Sequence, residues 1–171
     1  MKDILYNIGQ HGPSILFISS IYLLWKKKLF LYYLVGFVVN IFLNIFLKIT
    51  IQEPRPSVNE KKFDLLLQQS KNNNMYKKLI LLSSLGMPSG HAQSVFYSTL
   101  FIFLVFKQNN LFYLFICLIT IYQRVQYNFH TVLQVIIGSA LGGFFGFFMY
   151  SFAMYKIKGK LKHKLDDYGP V

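Results

Sequence analysis

Residues 29–48 read LFLYYLVGFVVNIFLNIFLK, and this stretch decides the fold class. No charge occurs between Leu29 and Leu47, and Asn40 and Asn44 are its strongly polar side chains. A helix needs about 20 apolar residues to cross roughly 30 Å of hydrocarbon, so this run makes one crossing, closed by Lys48. Working outward, four further apolar runs follow the same logic: Pro13–Trp25, Ala92–Phe106, Leu111–Tyr122 and Thr131–Tyr155. Pro13 suits the first position of a helix, where a missing N–H costs nothing. The runs from Pro13, Ala92 and Leu111 are short, so flanking polar residues, snorkelling lysines or a thinner bilayer must complete them. The expectation is an all-α, multi-pass transmembrane bundle of about five helices. It forms a single membrane-embedded domain over residues 1–171, with a soluble or interfacial loop at about 57–87.

Composition agrees. Hydrophobic residues make up 54% of the 171 residues and charged residues 14%, with a mean hydropathy of +0.40. A soluble domain carries about 25% charge, so these polar residues would not cover a water-facing surface. A disordered chain is excluded by the same numbers. The single cysteine, Cys117, lies inside an apolar run and permits neither an intrachain disulfide nor a thiolate metal site. The start does not read as a cleavable signal, because Asn7, Gln10 and His11 precede the first run and Lys26–Lys28 follow it.

The net charge is +12. Because the basic residues sit between apolar runs, they read as orientation signals and headgroup anchors, and no nucleic-acid partner is expected. Threading the chain back and forth puts Lys26–Lys28, Lys107 and the lysines from Lys156 to Lys164 on one face. The Lys48–Met87 loop and the Arg124–His130 turn fall on the other. Nine basic residues lie on each side. The short flanks therefore decide, and they favour the triple-lysine side as cytoplasmic. Within the loop, Phe63, Leu65–Leu67 and Leu79–Leu82 bracket a polar centre from Gln68 to Asn74, which suits either interfacial helices or an irregular loop.

Polar residues inside the runs form stripes. Asn40, Asn44 and Lys48 recur four residues apart, as do Ser94 and Ser98, and such stripes face a bundle interior. For the Asn and Ser residues, helix–helix hydrogen bonding is explanation enough. Gly138, Gly142 and Gly146 make a stripe suited to close packing.

Three constellations then reach the same face. The first is Lys48-Ile-Thr-Ile-Gln-Glu-Pro-Arg55-Pro56, where the prolines force Arg55 into an extended segment that can turn back toward Lys48. The second is Pro88-Ser89-Gly90-His91 at a helix start, where Gly90 allows close backbone approach and free N–H groups favour an anion. The third is Arg124, His130 and, one turn on, Gln134. A lipid-facing role does not explain three cations and two histidines at one face; phosphate chemistry does.

These strings resemble the three signature motifs of the type 2 phosphatidic acid phosphatase superfamily, and most closely its dolichyldiphosphatase branch. The resemblance rests on Ile51-Gln-Glu-Pro-Arg-Pro56, Gly86-Met-Pro-Ser-Gly-His-Ala-Gln93, His130-Thr-Val-Leu-Gln-Val135, Gly138 and Gly142-Gly143, and covers about Pro13 to Phe148. It implies a metal-independent lipid phosphatase of the endoplasmic reticulum, with the site facing the lumen. His130 would be the nucleophile, forming a phosphohistidine, and His91 the general acid and base. Lys48, Arg55, Arg124, Ser89 and Gly90 would bind the phosphoryl oxygens, and Gln134 would orient the nucleophile. Neither cofactor nor metal is expected, since three fixed cations stabilise the charge that a metal otherwise would. The implied partners are the membrane and a lipid phosphate or diphosphate.

Two departures stand out. Gln123 replaces the serine that most of the superfamily has before the third-motif arginine, and Gln134 replaces an aspartate. Glutamine at position 134 matches the dolichyldiphosphatase pattern, whereas the Ser57–Leu85 loop is longer than in that branch. The alternatives are a phosphatase for phosphatidic acid or another lipid monophosphate, and a catalytically silent lipid-phosphate-binding membrane protein.

Overall fold

The computed structural model describes residues 2–70, 75–108 and 110–166, with side chains as far as residue 158. Among them the chain forms seven helices and no strand. They are α1 (Lys2–Leu24), α2 (Phe30–Ile51), α3 (Glu60–Ser70), α4 (Met75–Ser84), α5 (Gly90–Phe106), α6 (Leu111–Gln126) and α7 (Val132–Asp166). Residues 71–74, in the polar centre of the loop, and the side chains of Lys160, Lys162 and Lys164 lie outside the described residues. Two segments, Phe30–Ile51 and Val132–Lys158, are long and apolar enough to cross a membrane. Helices α5 and α6 are apolar but shorter.

The scaffold is set by the contact between α5 and α7. A Cβ on Gly138 would press into the backbone of Ser89, one on Gly142 into that of Gln93, and one on Gly146 into that of Tyr97. Both series rise in steps of four, so the two helices run parallel with their backbones in contact. This is the close approach that small-residue stripes allow between apolar helices. Helix α6 returns between them in the chain, and α1 lies antiparallel to it: Gly9 meets Gln123, Gly12 meets Thr120, and the Ser20 hydroxyl is 2.9 Å from that of Tyr113.

The expected helix start at Pro13 is wrong. Helix α1 begins at Lys2 and Pro13 lies inside it. The proline removes one hydrogen bond, but Gly9 and Gly12 let the preceding turns pack flush on α6, and that packing holds the helix together. Within the long loop, helices form on both sides of the polar centre, and α3 packs on α4.

The core is aromatic and internally hydrogen-bonded. Tyr33, Tyr97 and Phe101 are fully buried, the Tyr33 hydroxyl is 2.8 Å from Ser98 Oγ, and Tyr97 donates to the Tyr33 carbonyl at 3.0 Å. Gln93 donates to Asn40 and accepts from Asn44 at 2.7 Å. The Asn stripe thus does hold helices together, at about 0.6–2 kcal/mol per bond in an apolar surround. Large apolar side chains point outward, among them Phe42 (65% exposed), Leu118 (65%) and Phe144 (70%). At the end away from Lys48, Lys27 Nζ lies over the Phe106 ring at 4.8 Å, so the α1–α2 turn and the end of α5 share one face.

Candidate active site

The opposite end of the bundle gathers the last turn of α2, the start of α5, the end of α6 and the start of α7. Helix α2 closes on Gln52 in the left-handed region (φ 54°), whose N–H returns to the Lys48 carbonyl. The chain then leaves extended and pairs with the segment after α4. Arg55 donates its N–H to the Ser84 carbonyl at 3.0 Å, and Gly86 donates to the Glu53 carbonyl at 2.7 Å. Lys48 Nζ (2.8 Å) and Arg55 Nε (3.3 Å) both donate to the Leu85 carbonyl oxygen. Arg55 has therefore turned back to Lys48, and two cations converge on a single neutral acceptor.

Ser89 caps α5 in extended geometry and donates its backbone N–H to the Gln134 carbonyl at 3.0 Å. Its hydroxyl is fully buried and has no hydrogen-bond partner among the described residues. Gly90 sits against the Asn44 amide, at the 3.0 Å limit for an added Cβ. His91 Nε2 is 3.1 Å from the Gln10 carbonyl oxygen. That oxygen can only accept, so Nε2 carries the proton and Nδ1 is left free.

At the third motif the Arg124 carbonyl accepts the N–H groups of both Phe129 (3.1 Å) and His130 (3.0 Å). The guanidinium donates to Gln10 Oε1 at 2.8 Å and stacks on Phe129 at 4.9 Å, and its Nε is buried without a partner among the described residues. Helix α7 opens with a reciprocal cap. Gln134 donates its N–H to Thr131 Oγ1, and Thr131 donates its N–H to Gln134 Oε1, both at 3.2 Å. The same Oε1 lies 3.1 Å from His130 Nδ1. Since it already accepts from a backbone N–H, it is an oxygen, so Nδ1 is the donor and the Nε2 lone pair of His130 is free.

Both histidines lie within electrostatic reach of Lys48, Arg55 and Arg124. Burial first, and then the charges of Arg55 and Lys48, push the His130 imidazole down to about 3, against a smaller upward pull from Gln134. The ring is neutral near pH 7. Burial also lowers the Arg55 guanidinium from its ordinary value. A cleft of about 360 Å³ opens beside His91 and runs past Asn44 and Ser94 to Phe17, Phe37 and Ile41, so it is polar at one end and apolar at the other. Among the described residues no three His, Cys, Asp or Glu side chains gather as a metal site.

All eight candidate residues fall at this end. Three others escape the sequence reading. Gln10 reads there only as a polar flank, although it tethers both Arg124 and His91; nothing short of the packing of α1 on α6 would show it. Gly86 opens the second motif string without an assigned role, yet a Cβ there would strike the Gln134 amide. Glu53, inside the first string, accepts from Gln134 Nε2 at 2.7 Å. Gln123, where most of the superfamily has a serine, buries an amide with no partner among the described residues against Gly9.

Residues 29–158 match the family model described as the PAP2 superfamily, a span that takes in all three motifs and leaves α1 outside it. Comparison with the curated proteins finds no match.

Proposed function

We propose that this chain, which belongs to the PAP2 superfamily, is an integral membrane lipid phosphatase hydrolysing an isoprenoid diphosphate such as dolichyl diphosphate through a phosphohistidine. The superfamily supports a phosphatase of lipid phosphates. The observation that supports the phosphohistidine step is the His130 ring, buried to 3% exposure, with Nδ1–H tied to Gln134, Nε2 unprotonated and three cations around it.

In the first step His130 Nε2 attacks the terminal phosphorus. An N–P bond forms, and the bond from phosphorus to the bridging oxygen breaks. Lys48, Arg55 and Arg124 hold the equatorial oxygens with Ser89 Oγ and the Gly90 N–H, where preorganised donors stabilise the transferring group most. The negative charge of the bound diphosphate favours a second proton on His91, at Nδ1. His91 gives that proton to the leaving lipid phosphate while its Nε2–H stays on the Gln10 carbonyl. It then takes one from water, whose oxygen attacks the phosphohistidine and releases inorganic phosphate. Neutral His130 is competent without prior deprotonation, and Ser89 Oγ and Arg124 Nε, which have no hydrogen-bond partner among the described residues, suit an oxyanion. The scheme uses no cofactor.

The cleft from His91 toward Phe17 and Phe37 suits a lipid whose phosphate lies at the bundle end and whose first apolar carbons run between α1 and α2. In this reading α1, α2, α5, α6 and α7 all cross the membrane as one domain, with α3 and α4 at the interface. The triple-lysine turn is cytoplasmic and the site faces the lumen of the endoplasmic reticulum. Glutamine at position 134, rather than aspartate, supports the dolichyldiphosphatase branch. The test is phosphate release by purified protein under chelation, from an isoprenoid diphosphate and from phosphatidic acid in parallel. Faster turnover of the diphosphate supports the reading; a preference for phosphatidic acid transfers the assignment to lipid monophosphates.

A further inference from the structure

The Gln134 amide is held on all sides by groups whose hydrogen-bonding sense is fixed. Its oxygen takes the Thr131 N–H and faces His130 Nδ1. Its nitrogen donates one hydrogen to Glu53 Oε1 at 2.7 Å and the other to the Pro54 carbonyl at 3.0 Å. A backbone N–H can only donate, and a carboxylate or a carbonyl can only accept, so the amide has one orientation. Gly86 closes the remaining side. Glu53 is in turn anchored through its backbone, whose carbonyl takes the Gly86 N–H at 2.7 Å.

We infer that Glu53 is a positioning residue for the nucleophile: its carboxylate fixes the Gln134 amide so that the amide oxygen is kept on His130 Nδ1–H. Behind that amide stands a carboxylate, whereas the charges that bear on the ring itself are those of Arg55, Lys48 and Arg124. An amide orienter alone brings no charge to the imidazole as it becomes cationic. The carboxylate behind it polarises the Gln134 N–H and, with it, the oxygen that faces His130, as chains of hydrogen bonds do in a low dielectric. The inference rests on the phosphohistidine reading.

The experiment compares phosphate release by the wild type, Glu53→Ala, Gln134→Glu and the exchange Glu53→Gln with Gln134→Glu, each checked for Tm in detergent. Glu53→Ala is expected to lower kcat by ~10- to 100-fold, with KM changed less than about threefold, the size of effect that a misplaced reacting group produces. Gln134→Glu sets two carboxylates against each other and is expected to lose kcat as well. In the exchange, the amide moved to position 53 donates to the carboxylate moved to position 134, which still accepts from His130. There kcat should recover at least about tenfold over Gln134→Glu alone. Wild-type kcat in Glu53→Ala, a loss confined to KM, or no recovery in the exchange overturns the inference. If Glu53→Ala does not fold, the exchange against Gln134→Glu decides. Absence of turnover in the wild type with every substrate is a different result and strikes the enzyme reading itself.

Discussion

The carbonyl oxygen of Arg124 accepts the backbone N–H of His130 at 3.0 Å, so the last turn of α6 is tied directly to the approach to α7. That bond accounts for the five-residue spacing between them. The intervening chain needs one left-handed residue to make the return, and Asn128 supplies it at φ 54°. Asparagine tolerates that region, whereas a β-branched residue does not.

Asn128→Gly is therefore expected to leave Tm and turnover close to wild type, and Asn128→Val to destabilise by about 1–2 kcal/mol with a matching fall in turnover. Thermal denaturation in detergent checks both. Equal Tm values for the two variants would mean the turn does not depend on its left-handed residue.

A second contrast lies on α7. A Cβ on Gly142 comes within 3.0 Å of the Gln93 backbone, which cannot move aside, whereas one on Gly143 meets only Leu100 Cδ2 at 3.8 Å. Gly142→Ala is expected to cost about 1–3 kcal/mol as the helices are forced apart, and Gly143→Ala to be neutral. The first should also weaken catalysis, because α5 and α7 carry His91 and Gln134. Parallel Tm measurements decide.

The sign of the acid dependence follows from His130. Its imidazole titrates near 3 in the folded chain, well below the ordinary 6.5, so folding favours the neutral ring. That contribution is complete above pH 6.5 and is lost as pH falls from 6.5 toward 3, by up to about 1.4 kcal/mol per pH unit. His130→Gln removes the titration, so Tm of the variant should fall less between pH 6.5 and 4 than that of the wild type. Parallel curves would show that the ring is not held neutral.

Gln10 joins α1 to the site by two different bonds, a side-chain acceptor for Arg124 and a backbone acceptor for His91. Gln10→Ala removes the first and keeps the second. Arg124 then loses its tether, and KM should rise about tenfold, some 1.4 kcal/mol, with kcat less affected. Steady-state kinetics distinguish this from an unchanged KM, which would reduce Gln10 to a packing residue.

Which parts of this can be read in the sequence follows from what each residue answers to. Lys48, Arg55, Ser89, His91, Arg124 and His130 are legible because anion chemistry restricts residue type, and because alternating crossings place helix ends predictably. Their meeting at one bundle end needs only the apolar runs and the prolines. The start of α1 is not legible, since Pro13 marks a helix beginning unless tertiary packing overrides it, and Gly9 and Gly12 reveal their fit only against Gln123 and Thr120. Thr131-Val-Leu-Gln134 is a capping pattern open to reading, but it is hidden behind the more conspicuous pairing of Gln134 with His130. Glu53 and Gly86 depend on how the segments after α2 and α4 pair, around the bridge between Pro54 and Leu85. Nothing local encodes a contact across so long a loop.

The central claim is that His130 Nε2 takes the phosphoryl group. The direct measurement is to quench turnover of a diphosphate labelled on its terminal phosphorus, and to map the label with alkaline and acidic work-up side by side. Acid-labile, alkali-stable label on the peptide containing His130, absent in His130→Ala together with phosphate release, is the predicted result. Phosphate release that continues in His130→Ala, or label on another residue, would contradict the account.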